Sequence, residues 1–367
     1  MTQSILLRRR PFIAGVITLG ALACTIGKQG RAASRATAMA GYYAMTVPLT
    51  QPSDTAKAKQ IYNTPGLSGV HLAVDWSLVE PSAGSFDFSS VDQNLSLIPS
   101  NLPLNLALMA GLSTPAWVAQ TCPSVTVNIN TTTGGKAVPV NVAAPWTSAY
   151  SLAYIGAFRA LLGHLKRAGV SSRIVGCVAS IYHGGDCELT IPWTVNNQPN
   201  MQNAQIWANA GYTPALALSG WVKAVGHLAR LLPDATLSIP LLMPTISLPW
   251  VNNAGQPVPN DDTTNQIAAF LADAGARYSS RAMAFFTAGS TNPLPPIFTG
   301  AEAAGCTVGC QTNAWGGGLG CETGRHGDPG PPGPNALRAV LANLSKYTDY
   351  IELHPADLLR NGSVIAG

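Results

Sequence analysis

Apolar runs of strand length recur along the chain, with helical patterns between them. The runs are "GYYAMTVPL" (41–49), "GVHLAVDW" (69–76), "LNLALMAG" (104–111), "RIVGCVASIY" (173–182), "TLSIPLLMP" (236–244), "AMAFFTAG" (282–289), "TVGCQTNAW" (307–315) and "DYIELHP" (349–355). Rich in Val, Ile, Leu and Ala, they read as strands covered on both faces. The longest helical pattern, "TSAYSLAYIGAFRALLGHLKRAG", ends in basic residues and a glycine, as helix C-termini do. "SDTAKAKQIYN" opens on Ser53 and Asp54, which predicts an N-cap there. Further helices are predicted over "DFSSVDQNLSLI", "TPALALSGWVKAVGHLARLLP", "TNQIAAFLADAGARY" and "PNALRAVLANLSKYT". The crossover after the sixth run, around "GAEAAG", has the weakest pattern.

Strands alternating with helices predict a parallel sheet with helical crossovers, an α/β fold. Eight such units fit a (β/α)8 TIM barrel. The alternative is an open doubly wound sheet, which often begins with a glycine-rich phosphate turn; none follows the first run here. Residues 124–144, "SVTVNINTTTGGKAVPVNVAA", alternate polar and apolar around a turn, so a β-hairpin insertion is expected after the third strand. "GDPGPPGPN" (327–335) holds too few collagen-like triplets for a triple helix and reads as a stiff loop.

The first 38 residues have the character of an export signal, leaving residues 39–367 as one domain. A basic segment precedes an apolar stretch too short, and too broken by small residues, for a firm membrane span. Arg9, Arg10 and Phe12 resemble the twin-arginine signature, and "RATA" (35–38) offers a cleavage site; lipidation at Cys24 is the alternative. This segment holds six of the 21 basic residues and no acid, so the remainder carries 15 bases against 17 acids, a net of −2. That balance gives no basis for nucleic acid binding, which needs a basic face. Without Cys24 six cysteines remain, at 122, 177, 187, 306, 310 and 321. An even count in an exported chain permits disulfides, and a local Cys310–Cys321 bridge is one expectation. Zinc is the alternative for the last three, but they lack a CxxC pair and have only His326 nearby. Neither a metal nor a cofactor is expected.

In a barrel of this kind the active site lies at the C-terminal ends of the strands. There the chain places Asp75, Trp76 and Glu80 after the second run, Ser113, Thr114 and Trp117 after the third, and His183, Asp186, Glu188 and Trp193 after the fourth. Trp250 follows the fifth run, Gln311, Asn313 and Trp315 the seventh, and Glu352, His354 and Asp357 the eighth. Carboxylates supply an acid, a base or a nucleophile, and flat aromatic faces stack on sugar rings. Together they suit cleavage of a glycosidic bond, which runs on two flanking carboxyl groups. An oligo- or polysaccharide is the expected partner. A serine hydrolase would need a G-x-S-x-G elbow, and Ser219 in "ALSGWV" lacks the first glycine.

Two segments carry a family resemblance. "VDWSLVEPSAGSFDFSSVDQNLSLI" is similar to the second-strand region of clan-A glycoside hydrolases, through Trp76, Glu80, Pro81, Gly84, Phe86, Asp87, Phe88 and Asp92. "MAGLSTPAWV" (109–118) resembles the third-strand end of bacterial β-galactosidase-like and cellulase-like members. The resemblance implies an acid/base glutamate after the fourth strand, where Glu188 stands, with Cys187 in place of the usual asparagine. It implies a nucleophilic glutamate at the seventh strand, where this chain has Gln311; the nearest acid there is Glu322. Glu352, inside the apolar run "YIELH", is therefore the expected second carboxylate, since a rigid strand positions a group well. Trp76, Trp193 and Trp315 are the expected sugar platforms, with Asp75, Trp117, His183, Asp186, Gln311, Asn313 and His354 as further substrate ligands. Glu80 is expected to shape its loop. The rival expectations are a carbohydrate-binding barrel without turnover and a cell-envelope scaffold.

Overall fold

A computed structural model describes residues 39–366, except 131–135, 180, 182–189, 197, 242–246, 259–262, 290–291 and 313–333. Eight strands alternate with eight main helices. They are β1 (Gly41–Met45), α1 (Pro52–Tyr62), β2 (Leu67–Asp75), α2 (Ser89–Leu97), β3 (Leu104–Met109), α3 (Ser148–Arg167), β4 (Ile174–Val178), α4 (Pro214–Leu231) and β5 (Thr236–Leu241). Then follow α5 (Thr263–Tyr278), β6 (Ala282–Gly289), α6 (Pro296–Ala303), β7 (Thr307–Thr312), α7 (Pro334–Leu344), β8 (Tyr350–Leu353) and α8 (Pro355–Asn361). Each strand pairs in parallel with its sequence neighbour, and β8 closes on β1. The sheet is therefore the closed barrel the alternation implies, and the open sheet is excluded.

Helix faces explain the outer layer. Tyr154, Ile155, Phe158, Leu161 and Leu165 of α3 recur at helical spacing and are all buried against the barrel. The weak sixth crossover still forms a helix, because Ile297, Phe298 and Ala301 of α6 are buried on one side. The cap of α1 falls on Gln51 rather than Ser53. Asp54 occupies the third helical position, and its carboxylate accepts from the Gln51 and Thr50 amides at 2.8 and 3.1 Å.

The expected insertion is present as an antiparallel hairpin, Ser124–Asn130 with Ala137–Ala143. It packs on a short helix, Met201–Asn209, where the Asn203 side chain accepts from the Asn128 amide at 3.1 Å and donates to the Asn128 carbonyl at 2.7 Å. Among the described residues, no helix is long and apolar enough to cross a membrane.

The strand register sorts the barrel interior into levels, each filled by side chains from alternate strands. Met39, Tyr43, Met283 and Tyr350 pack together toward the N-terminal end, beneath Phe285. Gly176 makes room there: a Cβ would lie 2.0 Å from the Met39 sulfur. His71, Val178, Phe285 and Glu352 share the next level, all buried. Above them, toward the strand C-termini, stand Met45, Ala107, Pro240 and Gln311, and here Met45 and Gln311 are already half-exposed.

Candidate active site at the C-terminal rim

The β2 end builds a clasp. The Trp76 indole donates to Glu80 Oε2 at 2.9 Å, the Gly84 amide to Oε1 at 2.9 Å, and the Trp117 indole to the Glu80 carbonyl at 3.1 Å. Glu80 thus shapes the loop, as its Glu-Pro setting suggested. Gly84 sits at φ +73°, a backbone that favours glycine. Asp87 accepts from the Ser89 amide at the start of α2, and its carboxyl is held below the usual range by that bond. Phe86, Phe88 and His164 stack, and His164 pairs with Asp92 at 2.7 Å. The residues that carry the family resemblance therefore fold into one loop-and-helix support.

Trp76 itself is fully buried, edge-on to Trp117, Tyr150 and Tyr154 at 5.6–6.3 Å. It presents no face to a sugar, and its expected platform role is corrected to a packing one. The same holds for Trp193, fully buried 5.7 Å from Trp250. Both lie in runs apolar enough to fold inward over the strand ends. Trp117 is half-buried.

Asp75, at the end of β2, is exposed and accepts from the Ser113 hydroxyl at 2.8 Å. Gln311 stands half-exposed on β7, opposite Glu352 in the register. His354 is half-buried after β8, and its Nδ1 accepts from the Ala356 amide at 3.3 Å as the cap of α8. That bond puts the ring proton on Nε2. Burial pushes its pKa down to about 4, so it stays neutral. Thr312, the last residue of β7, donates to Asp357 at 2.7 Å and accepts from the His354 amide at 3.1 Å, which joins the β7 and β8 ends.

Glu352 departs most from expectation. It is fully buried, a level below the half-exposed floor. His71 Nδ1 lies 2.9 Å from Oε2, Asn105 Nδ2 lies 3.3 Å from Oε1, and the Tyr350 hydroxyl donates to Oε1. Burial, then the Glu352 charge, holds the Tyr350 phenol well above its ordinary pKa and raises Tyr43 to about 12, so both remain donors. Placed in this way, Glu352 is an internal anchor between β2, β3 and β8. The expectation failed because "YIELH" sets a strand, while the register sets the depth of each residue in it.

No family model matches the chain, and no curated protein does. Solved structures do. The catalytic domain of a β-amylase from Paenibacillus polymyxa aligns over 88% of this chain and 94% of its own, with a TM-score of 0.58 and 12% identity. The two share one barrel fold. An intracellular xylanase from Thermoanaerobacterium saccharolyticum aligns over 88% of both chains at 11% identity and a TM-score of 0.48. A β-galactosidase from Bacillus circulans aligns over 84% of this chain and 56% of its own, at 15% identity and a TM-score of 0.43.

Glu188, His183, Asp186, Asn313, Trp315 and Glu322 lie outside the described residues. Cys122, Cys177, Cys306 and Cys310 are free thiols, so the expected Cys310–Cys321 bridge is corrected. Cys310 faces the helix layer, fully buried, and burial pushes its thiol up to about 12. The residues missed in the sequence are His71, Asn105 and Tyr350. For His71 and Asn105 the signal was a polar side chain inside "GVHLAVD" and "LNLALM", on the alternation phase that faces the barrel axis.

Proposed function

We propose that the chain hydrolyses an O-glycosidic bond in an oligo- or polysaccharide. The observation that carries this reading is position. A closed (β/α)8 barrel gathers its chemistry at the strand C-termini, and this chain sets Asp75, Ser113, Gln311 and His354 there, with Glu188 on the segment after β4. The likeness to a β-amylase catalytic domain supports the reading through its fold. Glu188 protonates the leaving oxygen. Asp75, the exposed acid at a strand end among the described residues, replaces Glu352 as second carboxylate on this reading. A carboxyl separation of about 5 Å gives retention, and roughly 6.5–9.5 Å gives inversion. The first 38 residues direct export; the mass of the protein recovered outside the cytoplasm tests this.

A binding barrel without turnover is the second reading. It is favoured by the burial of Glu352, which leaves fewer carboxyl groups at the rim. A panel of aryl glycosides and polysaccharides separates the two. Hydrolysis lost in Glu188→Gln and Asp75→Asn, with sugar binding kept, supports the enzyme. Wild-type protein that binds sugars and cleaves none supports the binding module.

A further inference from the structure

The near-neutral balance of residues 39–367 hides an uneven distribution of charge. Helices α3 and α4 pack side by side and carry five of the 15 Lys and Arg residues and none of the 17 acids. On α3, Leu152, Arg159 and Lys166 follow one another at intervals of seven, and on α4 Leu216, Lys223 and Arg230 do the same. Residues seven apart on a helix lie within about 20° of each other around its axis, so each triplet forms one line. All six side chains are exposed, Leu152 by 75%. Small residues stand between them: Gly156 and Gly163 on the first line, Ser219 and Gly226 on the second. Each line starts at a leucine, continues through two bases and spans about 21 Å.

The two lines belong to one face. Arg230 Nη2 donates to His227 Nδ1 at 2.9 Å on α4. Burial, then the Arg230 and Arg159 charges, holds that imidazole below its usual pKa, so a base from each helix acts on one ring. The flanking helices bring one acid each, and both are engaged: Asp92 of α2 pairs with His164 at 2.7 Å, and Asp273 of α5 with Arg277 at 2.7 Å. Asp234 lies beyond the end of α4. The positive charge of the face is therefore not cancelled by its own helices or by the two beside them.

We propose that this face docks the protein on an anionic phospholipid bilayer: Arg159, Lys166, Lys223 and Arg230 pair with headgroup phosphates, while Leu152 and Leu216 enter the boundary between headgroups and acyl chains. Long basic side chains lay their stems along apolar surface and keep their charge at the headgroup level, beside the shorter leucines. A soluble polyanion uses the bases alone and gives two exposed leucines at matching places nothing to do. Binding of this kind lies on the surface and needs no membrane-crossing helix. A helix that follows a barrel strand begins at the strand's C-terminal end, so the leucines stand toward the rim and the bases away from it. Docking through the helix layer is independent of the chemistry at the rim.

The test measures co-sedimentation of the full chain with vesicles of phosphatidylcholine, or of phosphatidylcholine and phosphatidylglycerol in equal parts. Residues 1–38 are common to every variant, so differences among variants report on the face. Wild type is expected to prefer the mixed vesicles, and added salt to weaken that preference. Arg159→Gln with Lys223→Gln should weaken binding to the mixed vesicles about 30-fold, each base contributing roughly fivefold. Leu152→Gln with Leu216→Gln should weaken it about tenfold and leave the salt dependence in place. These are exposed helix positions, and glutamine is a good helix former. Arg338→Gln with Lys346→Gln, an equal loss of exposed charge on the opposite wall, should leave binding unchanged. Equal binding to both vesicles, binding to neither, base variants that bind as wild type does, or an equal loss in the opposite-wall control overturns the proposal. A leucine pair variant that binds as wild type does overturns it too, in favour of a soluble polyanion.

Discussion

Replacing Glu352 by glutamine tests the interior network with the least change of shape. Glu352 receives His71 at 2.9 Å, Asn105 at 3.3 Å and the Tyr350 hydroxyl, all inside the barrel. An amide keeps one acceptor oxygen and turns the other into a donor. Either His71 or the Tyr350–Asn105 pair then meets an N–H group in place of an acceptor. One unpaired buried donor costs about 1–3 kcal/mol. Unfolding entropy is about 2.1 cal/mol/K per residue, so about 330 residues give roughly 0.7 kcal/mol/K. The expected fall in Tm is therefore about 1.5–4 °C, read by calorimetry or circular dichroism. Activity per folded molecule should be nearly unchanged. A Tm within about 1 °C of wild type would refute the network argument. A stable Glu352→Gln protein that has lost hydrolysis would restore Glu352 as a catalytic carboxylate.

Further predictions follow from other contacts. His354 has a folded pKa of about 4, below an unfolded value near 6.5, so the unfolded chain binds more protons between those values. Its contribution is intact above about pH 6.5 and is lost as pH falls toward about 4, up to about 3 kcal/mol; His354→Gln should flatten that part of a stability–pH curve. Gly176→Ala puts a Cβ 2.0 Å from the Met39 sulfur and should cost about 1–3 kcal/mol. Adding Met39→Ala should cost less than the sum in a double-mutant cycle, because the two side chains compete for one space. Glu80→Ala leaves the Trp76 indole and the Gly84 amide without their acceptor and should cost about 2–4 kcal/mol, read by denaturant unfolding with tryptophan fluorescence. Cys310 should resist alkylation in native protein and react once denatured, as peptide mapping would record.

Much of the fold is legible in the residues. Each apolar run became a strand, and even the alternation in 124–144 gave its hairpin. Local patterns carry that information because burial on both faces and a polar turn are properties of a few neighbouring residues. The site was less legible. Glu80 announced its role through a neighbouring proline and glycine, and the clasp is built within a few residues of chain. Glu352 was misplaced because its depth depends on the register of β8 against β1 and β7, a long-range quantity that no single run contains. Strand-end position suggests platforms at Trp76 and Trp193, but side-chain direction there depends on α3 and on Trp250, far off in sequence. Tyr150, Asn203 and Trp207 lie in helical patterns, where they look like ordinary packing residues until their hydrogen bonds to the Ile181, Trp193 and Pro192 carbonyls are seen.

The most direct measurement of the central claim is hydrolysis in heavy-oxygen water, with the sugar products read by mass spectrometry. The account predicts that wild-type protein forms new reducing ends carrying the heavy oxygen at the anomeric carbon, and that Glu188→Gln forms few or none while still binding the sugar. Wild-type protein that binds the same sugars and yields no labelled end, or a Glu188→Gln protein that labels as fast as wild type, would contradict it.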